Sequence, residues 1–178
     1  MKKIFLPLVV VLSIFGTSQL LNSAIAQTGL KICPNPNAPC KSKLRDFYPY
    51  DLSFTLPAKI KNNTPYKSEI FFAVILKGKI TLSEKDECDG GEFSTKVENE
   101  RKLAQKLFPN NKVFASHQCP DMGALSYEIN GQPLNENFIA VYGGANMLEA
   151  DIILTQAQTK YPKAVVKKMR VIYENMVQ

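Results

Sequence analysis

Apolar and polar positions alternate in ways that divide the chain into recognisable stretches. "EIFFAVIL", 69–76, is a continuous apolar run of strand length, rich in β-branched and aromatic residues. It predicts a central strand buried on both faces. "TKVENERKLAQKLFP", 95–109, sets Val97, Leu103, Ala104, Leu107 and Phe108 on one helical face. Thr95 and Glu98 predict a capping box at its start, and Pro109 ends it. "KVFAS", 112–116, predicts a short second strand. Within 117–136, Leu125, Tyr127 and Ile129 alternate with polar residues ahead of Asn130-Gly131, which predicts a strand and a hairpin turn. "NFIAVY", 137–142, is the next strand, and Gly143-Gly144 turn the chain. Asn146 is a good N-cap with Glu149 three residues on. Ala150, Ile153, Leu154, Ala157 and Tyr161 then form the apolar stripe of a second helix, which Pro162 stops. "AVVKKMRVIYE", 164–174, is the last strand.

The order strand-helix-strand occurs twice. It predicts an α+β fold, a ferredoxin-like split βαβ (β-α-β-β-α-β) antiparallel sheet with two helices on one face. Alternation in the last strand places Val165, Lys167, Met169, Val171 and Tyr173 on one side, expected to meet the helices. Val166, Lys168, Arg170 and Ile172 take the other.

The ends refine the domain organisation. Lys2 and Lys3, the apolar "IFLPLVVVLSIFG" and the small residues "AIA" at 24–26 predict a signal peptide over 1–26, cut after Ala26. The unbroken apolar run is shorter than the ~20 residues of a spanning helix, so no stable membrane span is expected after cleavage. The exported chain is expected in a bacterial periplasm or outside the cell. Residues 27–66 are rich in Pro, Asn and Lys yet carry Phe47, Tyr48, Tyr50, Phe54 and Leu56. Such aromatic content argues for an N-terminal arm packed on the domain at 67–178 rather than for disorder.

Charge excludes little but is useful. Without Lys2 and Lys3, 20 basic residues face 16 acidic ones, a net charge of +4. The excess is dispersed, which suits an anionic surface such as cell wall and does not suit a nucleic acid. All the cysteines, Cys33, Cys40, Cys88 and Cys119, lie in the exported part, which predicts two disulfides. Cys33 and Cys40 bracket the turn-rich "PNPNAP", leaving Cys88 with Cys119. Parallel strands within the first half would bring those two to one edge of the sheet.

Catalytic chemistry finds no pattern to stand on. "GGANMLEAD" lacks the Lys-Ser/Thr of a phosphate loop and the third glycine of a dinucleotide fingerprint. His117, the only histidine, has no placed acid, and no G-x-S-x-G is present. Asp86, Glu87, Asp89 and Glu92 lack EF-hand spacing, and there is no C-x-x-C pair for a metal. The expectation is a non-enzymatic protein with no cofactor and no metal.

"EIFFAVIL", "ENERKLAQKLF", "FIAVYGGANMLEADIILTQAQ" and "AVVKKMRVIYE" together resemble a SPOR domain, the bacterial envelope module that binds peptidoglycan. The resemblance covers about residues 69–174, with Gly143 at the family's glycine position. It implies an open sheet face that binds glycan strands stripped of their peptides. Lys168 and Arg170 are then candidates for polar contacts, and Tyr142 or Tyr173 for stacking on sugar. Two departures stand out. A charged insertion follows the first strand, and Ile139 and Val141 are apolar where the family presents polar residues. The arm at 47–56 would cover such a face. The expected partner is cell-wall glycan. The alternative is an envelope protein held by the loops 77–96 and 117–136.

Overall fold

The computed structural model describes residues 29–35, 40, 46–81, 94–116 and 125–174. The segment 1–26, Cys88, Cys119, His117 and the acidic cluster at 86–92 lie outside the described residues.

Each strongly patterned stretch becomes the element its period predicts. In chain order these are β1 (Pro65–Lys67), β2 (Phe71–Lys77), α1 (Thr95–Leu107), β3 (Val113–Ala115), β4 (Leu125–Ile129), β5 (Gln132–Pro133), β6 (Ile139–Gly144), α2 (Met147–Gln158) and β7 (Val165–Glu174). The fold is α+β. The strands form one seven-stranded sheet in the order β3-β6-β2-β7-β4-β5, with β1 on β7. Every pairing between these strands is antiparallel. Strands β2 and β3 are both antiparallel to β6, so they run parallel to each other, with α1 between them in the chain. The same holds for β6 and β7 on either side of β2, joined by α2.

The sheet is larger than the repeated strand-helix-strand plan requires. Strands β4 and β5 form a hairpin whose turn residues, Asn130 and Gly131, have φ of 51° and 78°. Two consecutive positive φ values suit a tight hairpin, which Asn-Gly accommodates at little cost. This hairpin and β1 both attach to β7, on opposite edges.

One face of the sheet lies under the helices. Val74, Leu76, Val113, Ile139 and Val141 bury against Val97 and Ala104 from α1, Phe108 just after it, and Ile153 and Ala157 from α2. A side chain at Gly143 would put its Cβ 2.9 Å from the Phe72 carbonyl oxygen and 3.0 Å from the Ala150 Cβ. The glycine is what lets α2 close onto the sheet. Asn146 caps α2 as its sequence predicts: its Oδ1 accepts from the Glu149 N–H at 3.1 Å, while Glu149 Oε2 accepts from the Ala145 N–H at 3.1 Å.

The start of α1 differs from the expected capping box. The N-cap is Ser94, with no side-chain cap bond, and Thr95 is already helical. Glu98 instead grips Arg101 through two bonds of 2.7 and 2.8 Å. Arg101 points inward, only 5% exposed, and donates to the Val113 carbonyl at 3.2 Å, while Leu103 faces outward. Arg101 shares the i, i+4, i+7 face of Val97 and Ala104, its guanidinium satisfied by Glu98 and Val113, and Leu103 falls on the other side of the helix.

The opposite face is covered by residues N-terminal to β1. Leu52 and Phe54 are fully buried in one cluster with Phe71, Ala73, Phe114 and Val171. Burying two such side chains contributes ~1.5–3 kcal/mol each. Ile32 bridges Phe54, and Cys33 N–H donates to Ser53 O at 2.8 Å. Cys33 is disulfide-bonded to Cys40 with a Cα–Cα separation of 5.5 Å. That bond is consistent with an exported protein. Among the described residues no helix is long and apolar enough to cross a membrane.

This second layer reverses the expected facing of β7. Met169, Val171 and Tyr173 join the Leu52–Phe54 cluster, not the helices. Val166 packs on the helix side, which Lys168 and Arg170 share by alternation. Ile139 and Val141, expected on the open face, are buried beneath the helices. Both faces of the sheet carry apolar cover, so the more apolar side of β7 does not identify the helical side.

Candidate functional site

The helices cover β3, β6 and β2 but reach only the start of β7. Beyond them, the same face of β7, β4 and β1 presents a groove of about 440 Å³ lined by Lys67, Ile70, Glu128, Asn130, Lys168 and Arg170. Register builds it. Glu128 lies opposite Arg170, and Lys67 lies opposite Ile172, two residues along from Arg170 on the same face. Lys168 lies opposite Phe72.

Glu128 organises the charges. Lys67 Nζ donates to its Oε2 at 2.8 Å, and Arg170 Nε stands 3.7 Å from its Oε1. The Glu128 side chain is 9% exposed, whereas those of Lys67 and Arg170 are 40% and 28% exposed. Lys168 is exposed and has no ion pair among the described residues. Three cations and one carboxylate therefore line the groove, which leaves it at about +2. A guanidinium and two ammonium groups in this arrangement can hold a carboxylate or phosphate by charge-assisted hydrogen bonds.

The four ligand candidates from the sequence do not all converge. Lys168 and Arg170 line this groove. Tyr142 belongs to the opposite face, half-buried, with its ring centroid 5.7 Å from that of Phe71. Burial, then Glu69 and Glu149, raises its phenol pKa. Tyr173 is 5% exposed and sits in the Leu52–Phe54 cluster, so its ring offers no surface for stacking on a sugar. Lys67 and Glu128 were not candidates from the sequence. Glu128 carries a signal there, as a polar position of the alternating "LSYEI", but nothing local ties it to Arg170.

Compared with protein-family models, curated proteins and solved structures, the chain matches none.

Proposed function

We propose that this protein is an exported, non-enzymatic binding module of the cell envelope, and that Lys67, Lys168 and Arg170 hold the anionic groups of a cell-wall glycan. The observation that carries this reading is the convergence of three cations in one groove, two of them beside a largely buried carboxylate. Peptidoglycan strands stripped of peptides present free carboxylates at intervals, the chemistry such a groove recognises. The strand order β7-β2-β6-β3, with α1 and α2 as crossovers, supports a ferredoxin-like core to which β1, β4 and β5 are added. In a SPOR domain the glycan lies on an open sheet face. Here the residues before β1 cover the part of that face carrying Phe71, Ala73 and Val171, so we place the contact on the uncovered half of the helical side. The signal-like segment at 1–26 and the Cys33–Cys40 bond support a periplasmic or extracellular location.

Co-sedimentation of the exported form with purified, peptide-stripped sacculi tests the reading. Binding should weaken with salt, because the contacts are exposed charges. A Lys168→Ala, Arg170→Ala double variant should bind about tenfold more weakly, the loss of ~1.4 kcal/mol. Absence of binding by the exported form would sink it.

A second reading, a module that docks on an envelope protein, has one specific support. Leu103 on α1 and Leu148 and Ile152 on α2 are 62%, 73% and 66% exposed. Crosslinking in cells that captures a partner through these helices, and not through the basic groove, would favour it.

A further inference from the structure

We propose that a second groove, on the other face of the sheet, binds an anionic single-chain amphiphile such as a long-chain carboxylate. It goes beyond the glycan reading and shares no residue with that site.

The groove, of about 480 Å³, lies between the start of β7, the turn after β2 and the segment joining β5 to β6. That volume is in the range of small-molecule sites, ~300–1,000 Å³. Its floor is Ile75, Ile129, Leu134, Phe138 and Val165. Ile75 and Val165 lie opposite each other in register, and Val165 is 46% exposed, an apolar side chain left open at the groove. Polar backbone groups bordering the floor are paired within the protein. Ile80 N–H donates to Asn137 O at 3.0 Å, Asn137 Nδ2 to Ile80 O at 3.3 Å, and Leu134 N–H to Tyr127 O at 2.8 Å. A peptide or sugar placed there would bury polar groups without partners, at a cost of kcal/mol each. An acyl chain has no such groups.

The rim fixes the charge of the occupant. Lys77, Lys79, Lys163 and Lys167 surround the groove, against Glu136 alone among its lining residues. Lys77 is engaged by Glu100 at 2.6 Å, but Lys79, Lys163 and Lys167 have no ion pair among the described residues. Lys79 also has φ of 52°, a left-handed backbone uncommon for a residue other than glycine. Strained positions of this kind concentrate at ligand sites. An apolar floor under a cationic rim is complementary to an aliphatic chain ending in an anion.

The test uses the exported full chain titrated with dodecanoate below its micelle concentration, by calorimetry and by displacement of a fluorescent fatty-acid analogue. Saturable one-to-one binding is expected, at least tenfold tighter than for dodecyltrimethylammonium. Val165→Asp, which places a negative charge in the groove, should abolish it. The exposed pair Lys163→Ala, Lys167→Ala should weaken it about tenfold with unchanged circular dichroism. Lys168→Ala, Arg170→Ala should leave it intact, which separates this site from the glycan groove. Equal affinity for the cationic amphiphile, absence of saturable binding, or binding unaffected by Val165→Asp and by the lysine pair would overturn the proposal.

Discussion

Ser68 and Val171 exchange two hydrogen bonds: Ser68 N–H donates to Val171 O at 2.9 Å, and Val171 N–H donates to Ser68 Oγ at 2.9 Å. Ser68 is fully buried where the chain steps from β1 to β2 along one edge of β7. Its hydroxyl stands in for the carbonyl that an unbroken strand would supply. Ser68→Ala should leave the Val171 N–H unpaired and cost ~1–3 kcal/mol in urea denaturation. A midpoint within experimental error of the parent would contradict this role.

Gly29 lies against the same step. A Cβ there would fall 2.3 Å from the Glu69 nitrogen and Cα and 2.5 Å from the Ser68 carbonyl oxygen, all backbone atoms. Leu30, next along, donates to Lys67 O at 3.1 Å and accepts from Glu69 N–H at 2.7 Å. Gly29→Ala should therefore lift the segment 29–33 from the sheet and destabilise by ~1–3 kcal/mol, as overpacking does. Faster amide exchange at Leu30 and Glu69 is the local signature to measure.

Lys112 sets a pH dependence. It is buried, and its Nζ donates to Pro49 O at 2.6 Å. Burial first, then Arg101, lowers its pKa from 10.5 to about 8, with Asp51 and Glu98 pulling the other way. Between these values the unfolded chain holds more proton than the folded one, so stability rises with pH from about 8 upward, by up to roughly 3 kcal/mol. Tyr142 and Tyr161, whose pKa values are raised mainly by burial, oppose the rise above about pH 10, the ordinary tyrosine range. Denaturation midpoints should climb between pH 8 and 10 in the parent and stay level in Lys112→Met. A flat parent profile would refute the assignment.

Glu128→Gln keeps shape and removes one charge from the basic groove lined by Lys67, Lys168 and Arg170. Lys67 and Arg170 are exposed enough to be solvated, so the loss of stability should be about 1 kcal/mol or less. The groove would move from about +2 to +3. Sacculus binding should tighten and its salt dependence steepen. Weaker binding would mean that Glu128 contacts the ligand rather than competing with it.

What is legible in the sequence is what local chemistry decides. The Asn130-Gly131 hairpin follows from two positive φ values, and the Asn146 cap from side chains three residues apart. The strand "EIFFAVIL" is central because an apolar run needs cover on both faces. The facing of β7 is not legible, because Leu52 and Phe54 make the face away from the helices as dry as the one beneath them. The inward turn of Arg101 depends on its finding the carbonyl of Val113, outside its own helix. At the candidate site, Lys168 and Arg170 share a face by simple alternation. Lys67 and Glu128 join them only through pairings with β7 that span the chain.

The strand to which β1 and β4 both pair is β7, the last element among the described residues. Ser68 finds the Val171 N–H across a sequence separation of 103 residues. A polypeptide emerging N-terminus first can offer β1 no strand partner, and β4 only the two residues of β5, until residues 165–174 arrive. Long-range pairing of this kind also makes closure slow. The topology thus splits the sheet into a part that can pair early, β2-β6-β3, and a part that waits for β7 to bridge it to β4 and β1.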